Sequence, residues 1–213
     1  VGLPAEEVTR LVKVGDLISY GQLPFEMQGD LLVAKSLDNR ASVAAVTACL
    51  DALKDRPHRW DVVAVATAQE EITYGGAYAS AFGVRPDLAI VIDVTHGAMP
   101  GIPEHKTSPV GEGPTIGWGP NLHPKMFKAL SDLASQNEIP FKIEVMPMHS
   151  GTDAFAVQVS AEGIACGLIS IPLRYMHTPV ETVSLKDIHR AGRLMAEYIL
   201  TLNDETLNGL MLD

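Results

Sequence analysis

Two adjacent carboxylates, Glu70 and Glu71, follow closely on the apolar run 60–67. Neighbouring acids at the end of a run that reads as a buried strand repel each other unless a cation or a proton relieves them. One can ligate a divalent ion. The other can take a proton from an ion-activated water and pass it to a leaving amine, as hydrolysis of a peptide bond requires. Three more residues of ligating type stand at comparable places: Asp38 opens a helical pattern, Asp93 ends the apolar run 88–92, and His177 follows the run 164–171 through Pro172. Each has a plainer reading alone, as a helix cap, a loop carboxylate tying down backbone N–H groups, and one of 7 histidines. Ligand sites of open α/β sheets lie beyond the carboxyl ends of the strands, so the four features in strand-end order describe a divalent-metal site.

The elements that must position these residues alternate in type. Leu31–Ala34 is expected as a short strand, and 12–20 as a strand with a turn at Gly15-Asp16. Val43, Val46, Leu50 and Leu53 recur at helical spacing behind a cap at Asp38 or Asn39. The runs 60–67, 88–92 and 164–171 read as strands buried on both faces, and 141–145 as a further strand. Helices are expected over 76–82, after the break at Tyr74-Gly75-Gly76, and over 124–136, 152–160 and 184–202, the last capped by Ser184. The stretch 95–124 is dense in Gly and Pro and reads as loop. Alternation of this kind predicts an α/β fold of three layers, a mainly parallel sheet flanked by helices.

Composition narrows the partners. With 16 Lys and Arg against 26 Asp and Glu, the net charge of −10 argues against nucleic acid, which needs clustered cations. No apolar run has the length to span a bilayer, so no membrane partner is expected. Cys49 and Cys166 sit in apolar runs outside any metal-like spacing and read as reduced, buried thiols, giving the cytoplasm as the expected location.

Several blocks together resemble the tetrahedral aminopeptidases, metallopeptidase family forty-two. That family includes glutamyl and deblocking aminopeptidases, and some members are called cellulases or endoglucanases. The blocks are Ala34-Lys35-Ser36-Leu37-Asp38-Asn39-Arg40, Ala68-Gln69-Glu70-Glu71, Ile92-Asp93-Val94-Thr95, Ser150-Gly151-Thr152-Asp153-Ala154, and the stretch 169–181 that holds Arg174-Tyr175-Met176-His177. The resemblance implies a metallo-aminopeptidase with two divalent ions, zinc or cobalt. Asp38 would bridge them, Glu71 and His177 would complete one site, Asp93 would serve the other, and Glu70 would be the general base. His96, three residues past Asp93, matches no ligand of the family, and Asp153 lies in a motif near its substrate pocket.

The family's early His-x-Asp pair is absent, since none of the 7 histidines is followed two positions later by Asp. The chain is therefore expected to be N-terminally truncated, with 1–33 the remnant of an inserted β-rich domain and 34–213 an incomplete catalytic domain. Partial metal occupancy follows as an expectation, because one site keeps three ligands and the other only Asp38 and Asp93. The resemblance also implies a peptide substrate and self-association, the family forming dodecamers. Two alternatives remain open here: a two-metal amidohydrolase acting on acylated amino acids, and a non-catalytic scaffold of the same fold.

Overall fold

A computed structural model describes residues 2–210. A short helix α1 (Ala5–Leu11) leads to a hairpin of β1 (Phe25–Met27) and β2 (Leu31–Ala34), and then to the long helix α2 (Leu37–Leu53). The single-turn helix α3 (Glu70–Thr73) and α4 (Gly75–Val84) precede β3 (Leu88–His96), β4 (Thr115–Trp118), α5 (Pro124–Gln136) and β5 (Lys142–Val145). The single turn α6 (Ala154–Val157), β6 (Ala165–Arg174), β7 (Glu181–Ser184), α7 (Leu185–Thr201) and α8 (Asp204–Leu210) complete the described chain.

Strand alternation in β6 explains the layers. Ile169, Ile171 and Leu173 face the core built by α2, α5 and α7, whereas Cys166 faces the small-residue helices α4 and α6. Helix α7 presents Ile188, Ala191, Leu194, Met195 and Tyr198 at helical spacing to that first core. Gly192 lets α7 approach α2 closely, since a Cβ there would lie 2.6 Å from the Ala45 carbonyl oxygen. Helix α5 starts with Pro124 in its first turn, where a missing N–H does no harm, and buries Met126, Leu130 and Ala134.

The layered α/β architecture is the expected one, but the sheet is mixed rather than mainly parallel. The long β3–β6 pairing and the β4–β5 pairing are parallel, while β1–β2, β2–β7, β4–β6 and β6–β7 are antiparallel. One reason is that β7 folds straight back onto β6 through the short loop that carries His177. Another is that 60–67 joins no strand ladder: Val63 and Val65 are exposed, and β6 is the one strand that pairs with β3 among the described residues. Apolar composition marks a segment for burial in a sheet, yet a strand forms only where an edge offers it a ladder.

Other expectations need smaller corrections. Residues 12–20 hold no strand; their turn, closed by the Asp16 N–H on the Lys13 carbonyl, leaves Val14, Leu17 and Ile18 with nothing to pack on. β4 lies inside the stretch expected as loop, hidden by the glycines and proline at 113, 114, 117 and 119. β3 runs on to His96, so Asp93 sits within the strand and not beyond it. The helix expected over 152–160 is the single turn α6, and Ser184 precedes α7 without a side-chain capping bond.

Candidate metal centre

The start of α2 is irregular and leaves Asp38 outside the regular helix. Ser36 takes a left-handed φ of 55°, Asp38 and Asn39 have non-helical angles, and the peptide bond between those two is cis. The cap of the regular helix is Asn39, whose Oδ1 accepts the Ser42 N–H at 3.2 Å. Asp38 is thus available to the cavity. Glu70 and Glu71 open α3 behind Gln69, whose φ of 65° turns the chain sharply, and the turn is anchored by the Gly76 N–H on the Ala68 carbonyl at 2.8 Å. His177 also has a positive φ, 62°. Non-glycine residues in this region are strained and concentrate where a site demands them.

One buried residue ties two of these segments together. Glu181, 2% exposed, accepts the Asp38 N–H at 3.0 Å on one carboxylate oxygen and the His177 N–H at 2.8 Å on the other. The two residues it holds are far apart in sequence but adjacent in space.

His177 Nε2 lies 3.0 Å from Asp38 Oδ2 and 3.3 Å from Glu71 Oε2, and one ligating atom from each of the three residues falls within 4.8 Å of the others. Burial raises the Asp38 carboxyl to about 6, helped by repulsion from Glu71 and Glu181 and opposed by His177. Burial likewise lifts Glu70 to about 7, with the Glu71, Asp153 and Asp38 charges adding to it. Asp93, 7% exposed, is pushed up to about 8, chiefly by burial; the Val94 N–H opposes this and the charges of Glu70, Asp38 and Asp153 add to it. Its Oδ1 accepts the Asn39 amide at 2.7 Å and the Val94 N–H at 2.8 Å. Each of these shifts favours a bound proton in the absence of a cation. Two carboxylates and an imidazole within reach of one point therefore suit a divalent ion in both donor chemistry and charge.

Asp38, Glu70, Glu71, Asp93 and His177 all line one cavity of about 290 Å³. Asp93 is in that wall but outside the close group of three. His96 lines the cavity too. Asp153 is positioned by the Thr67 hydroxyl, which donates to it at 2.5 Å. Sequence reasoning gave no role to Glu181, although it stands only four residues past His177, nor to Thr95 and Ser170 in the cavity wall, and it missed Glu144 there. Strand alternation was the available signal for Thr95, two residues past Asp93 on the same face of β3.

The family model of M42 glutamyl aminopeptidase matches residues 3–194. The chain belongs to this family. A relative described as a putative aminopeptidase of Acetivibrio thermocellus is 38% identical over 201 residues, covering 91% of this chain and 58% of the relative. The solved structure of aminopeptidase APDkam598 from the archaeon Desulfurococcus kamchatkensis superposes with a TM-score of 0.85 at 34% identity, covering 97% of this chain and 59% of that one. The Pyrococcus horikoshii TET1 peptidase, whose structure is described as assembling into a tetrahedron or a large octahedral shell, gives a TM-score of 0.76 at 26% identity, with 92% and 58% covered. This M42 chain thus spans less than two thirds of the length of these relatives. Among the described residues no helix is long and apolar enough to cross a membrane.

Proposed function

We propose that this chain carries the catalytic part of a metal-dependent aminopeptidase, removing N-terminal residues from peptides with Glu70 as general base. The observation that supports the reading most is the convergence of Asp38, Glu71 and His177 within 4.8 Å in the cavity that Glu70 also lines. Zinc or cobalt bound there would supply the Lewis acidity that the hydrolysis of a peptide bond needs.

The chain's own residues supply the rest. Asp38, Glu71 and His177 would hold the ion, and Asp93 would serve a second position with fewer protein ligands. Glu70 stays outside the ligand set and takes the proton of the attacking water. Its place in the wall of the same cavity suits a base that must also return that proton to the leaving amine. Glu181 keeps the segments of Asp38 and His177 in register. In this reading residues 34–213 form the catalytic domain. The exposed Val14, Leu17, Ile18 and Tyr20 supply apolar surface for self-association of the kind described for the TET1 peptidase.

The test is release of free amino acids from unblocked and N-acylated dipeptides by the zinc-loaded chain and its Glu70→Gln variant. The expected result is release from unblocked peptides only, falling by about 10²-fold or more in the variant, with zinc affinity retained. Unchanged turnover in the variant, or preference for the acylated series, contradicts the reading.

A further inference from the structure

β5 ends the sheet, paired with β4 on one side and with no strand on the other among the described residues. The Lys142 N–H donates to the Pro114 carbonyl at 3.1 Å and the Met146 N–H to the Trp118 carbonyl at 2.8 Å. Even-numbered residues therefore bond to β4, and Phe141, Ile143 and Val145 turn their N–H and C=O groups outward. Their side chains share one face of the sheet, where Ile143 stands beside Ile116 and Val145 beside Trp118. Helix α5 covers that face only in part: Phe127 packs on Trp118 at 4.8 Å, while Ile143 is 55% and Val145 68% exposed. An open backbone edge flanked by an apolar strip is a template for another strand.

The residues of β5 select which strand. A strand can pair antiparallel with a second copy of itself about a two-fold axis. With the axis at Ile143, Ile143 meets Ile143 of the second copy in a hydrogen-bonded pair. Val145 then meets Phe141, and Lys142 meets Glu144, each of these twice. An axis at Lys142 or Glu144 sets like charges directly opposite each other. An axis at Val145 requires a hydrogen bond from Pro147, which has no N–H. A shallow groove of about 820 Å³, lined by Ile139, Pro140 and Phe141, lies at the end of β5 that receives the second copy's Val145. We propose that two copies of this chain join edge to edge through β5, antiparallel and centred on Ile143, so that one sheet runs through both. The joint is independent of the aminopeptidase reading and of the apolar residues 14–20. It sets the two cavities on one continuous sheet, because Glu144 of the joining strand lines the cavity.

The experiment is disulfide trapping with a mild oxidant, together with sedimentation of the whole chain. Cys49 and Cys166 are buried, so an added cysteine on β5 reports alone. Residues in a hydrogen-bonded antiparallel pair have Cα atoms about 5.5 Å apart, within the roughly 4.4–6.8 Å that a disulfide spans. Ile143→Cys must therefore give a covalent dimer. Val145→Cys alone must not, since its two copies stand about 13 Å apart at roughly 3.3 Å per residue. A mixture of Phe141→Cys and Val145→Cys must trap the mixed dimer. In sedimentation the wild type must self-associate, and Ile143→Lys, which sets two ammonium groups across the axis, must weaken that association at least about tenfold. Circular dichroism matching the wild type establishes that the variants are folded. A monomeric wild type overturns the proposal. So does trapping of Val145→Cys as fast as Ile143→Cys, which marks random collision, or a mixture that yields no mixed dimer. An association that Ile143→Lys leaves intact overturns it too, because the contact then lies elsewhere. None of these results depends on metal or turnover, so each leaves the aminopeptidase reading standing.

Discussion

Replacing Asp93 by Asn removes one buried titratable group and changes little else. Asparagine keeps an oxygen for the Asn39 amide and the Val94 N–H, and Asp93 is only 7% exposed. In the metal-free chain burial raises the Asp93 carboxyl from 3.8 to about 8. Between pH 5 and 7 the unfolded chain has lost this proton and the folded chain has kept it. The folded state then binds more protons, so stability falls as pH rises, a contribution present at low pH and gone above about 8. One retained proton is worth about 1.4 kcal/mol per pH unit, so the wild type should lose about 3 kcal/mol from this group over two units. The Asp93→Asn side chain cannot titrate, and the variant should lack that share of the slope. Urea unfolding in chelator at pH 5, 6 and 7, followed by circular dichroism for both proteins, measures the difference directly. Stability curves that run parallel from pH 5 to 7 would refute the reasoning, since Asp93 would then titrate alike in the folded and unfolded chains.

Two further substitutions probe the frame around the proposed ligands. Glu181→Gln leaves one acceptor for two N–H donors, so the segments of Asp38 and His177 should lose their common anchor. Zinc affinity should fall about 10- to 100-fold, measured by competition with a chelator, and an unchanged affinity would show that the anchor is dispensable. In Gly76→Ala the new Cβ would lie 2.3 Å from the Ala68 nitrogen and 2.4 Å from its oxygen. The turn that carries Glu70 and Glu71 must then shift, with an expected loss of about 1–3 kcal/mol in urea unfolding and weaker zinc binding. Wild-type values in both measurements would contradict the account of that turn.

Helices α5 and α7 were legible because each repeats buried aliphatic positions every three or four residues and each begins at a recognisable boundary. β6 was legible because a continuous apolar run of that length fits a strand covered on both faces. Segment 60–67 has the same local signature and no ladder, because pairing depends on an edge elsewhere in the chain. β4 failed for the opposite reason, its four residues being set among glycines and a proline. In the site, residue type and order along the chain were enough to nominate Asp38, Glu70, Glu71, Asp93 and His177, and the fold brings all five to one cavity. Whether Asp38 or Asn39 caps α2 depends on backbone angles that both residues can adopt. Glu181 was invisible because its partners are backbone N–H groups, one of them 143 residues away, which no residue type announces. Glu144 could be placed in the cavity wall only once β5 is laid beside β4.

The most direct test of the metal centre is a calorimetric zinc titration of this chain alongside Asp38→Asn. One tight site built by Asp38, Glu71 and His177 is expected, with a second and much weaker one that uses Asp93, and loss of the tight site in the variant. Absence of tight binding in the wild type, or a tight site that survives in Asp38→Asn, would contradict it.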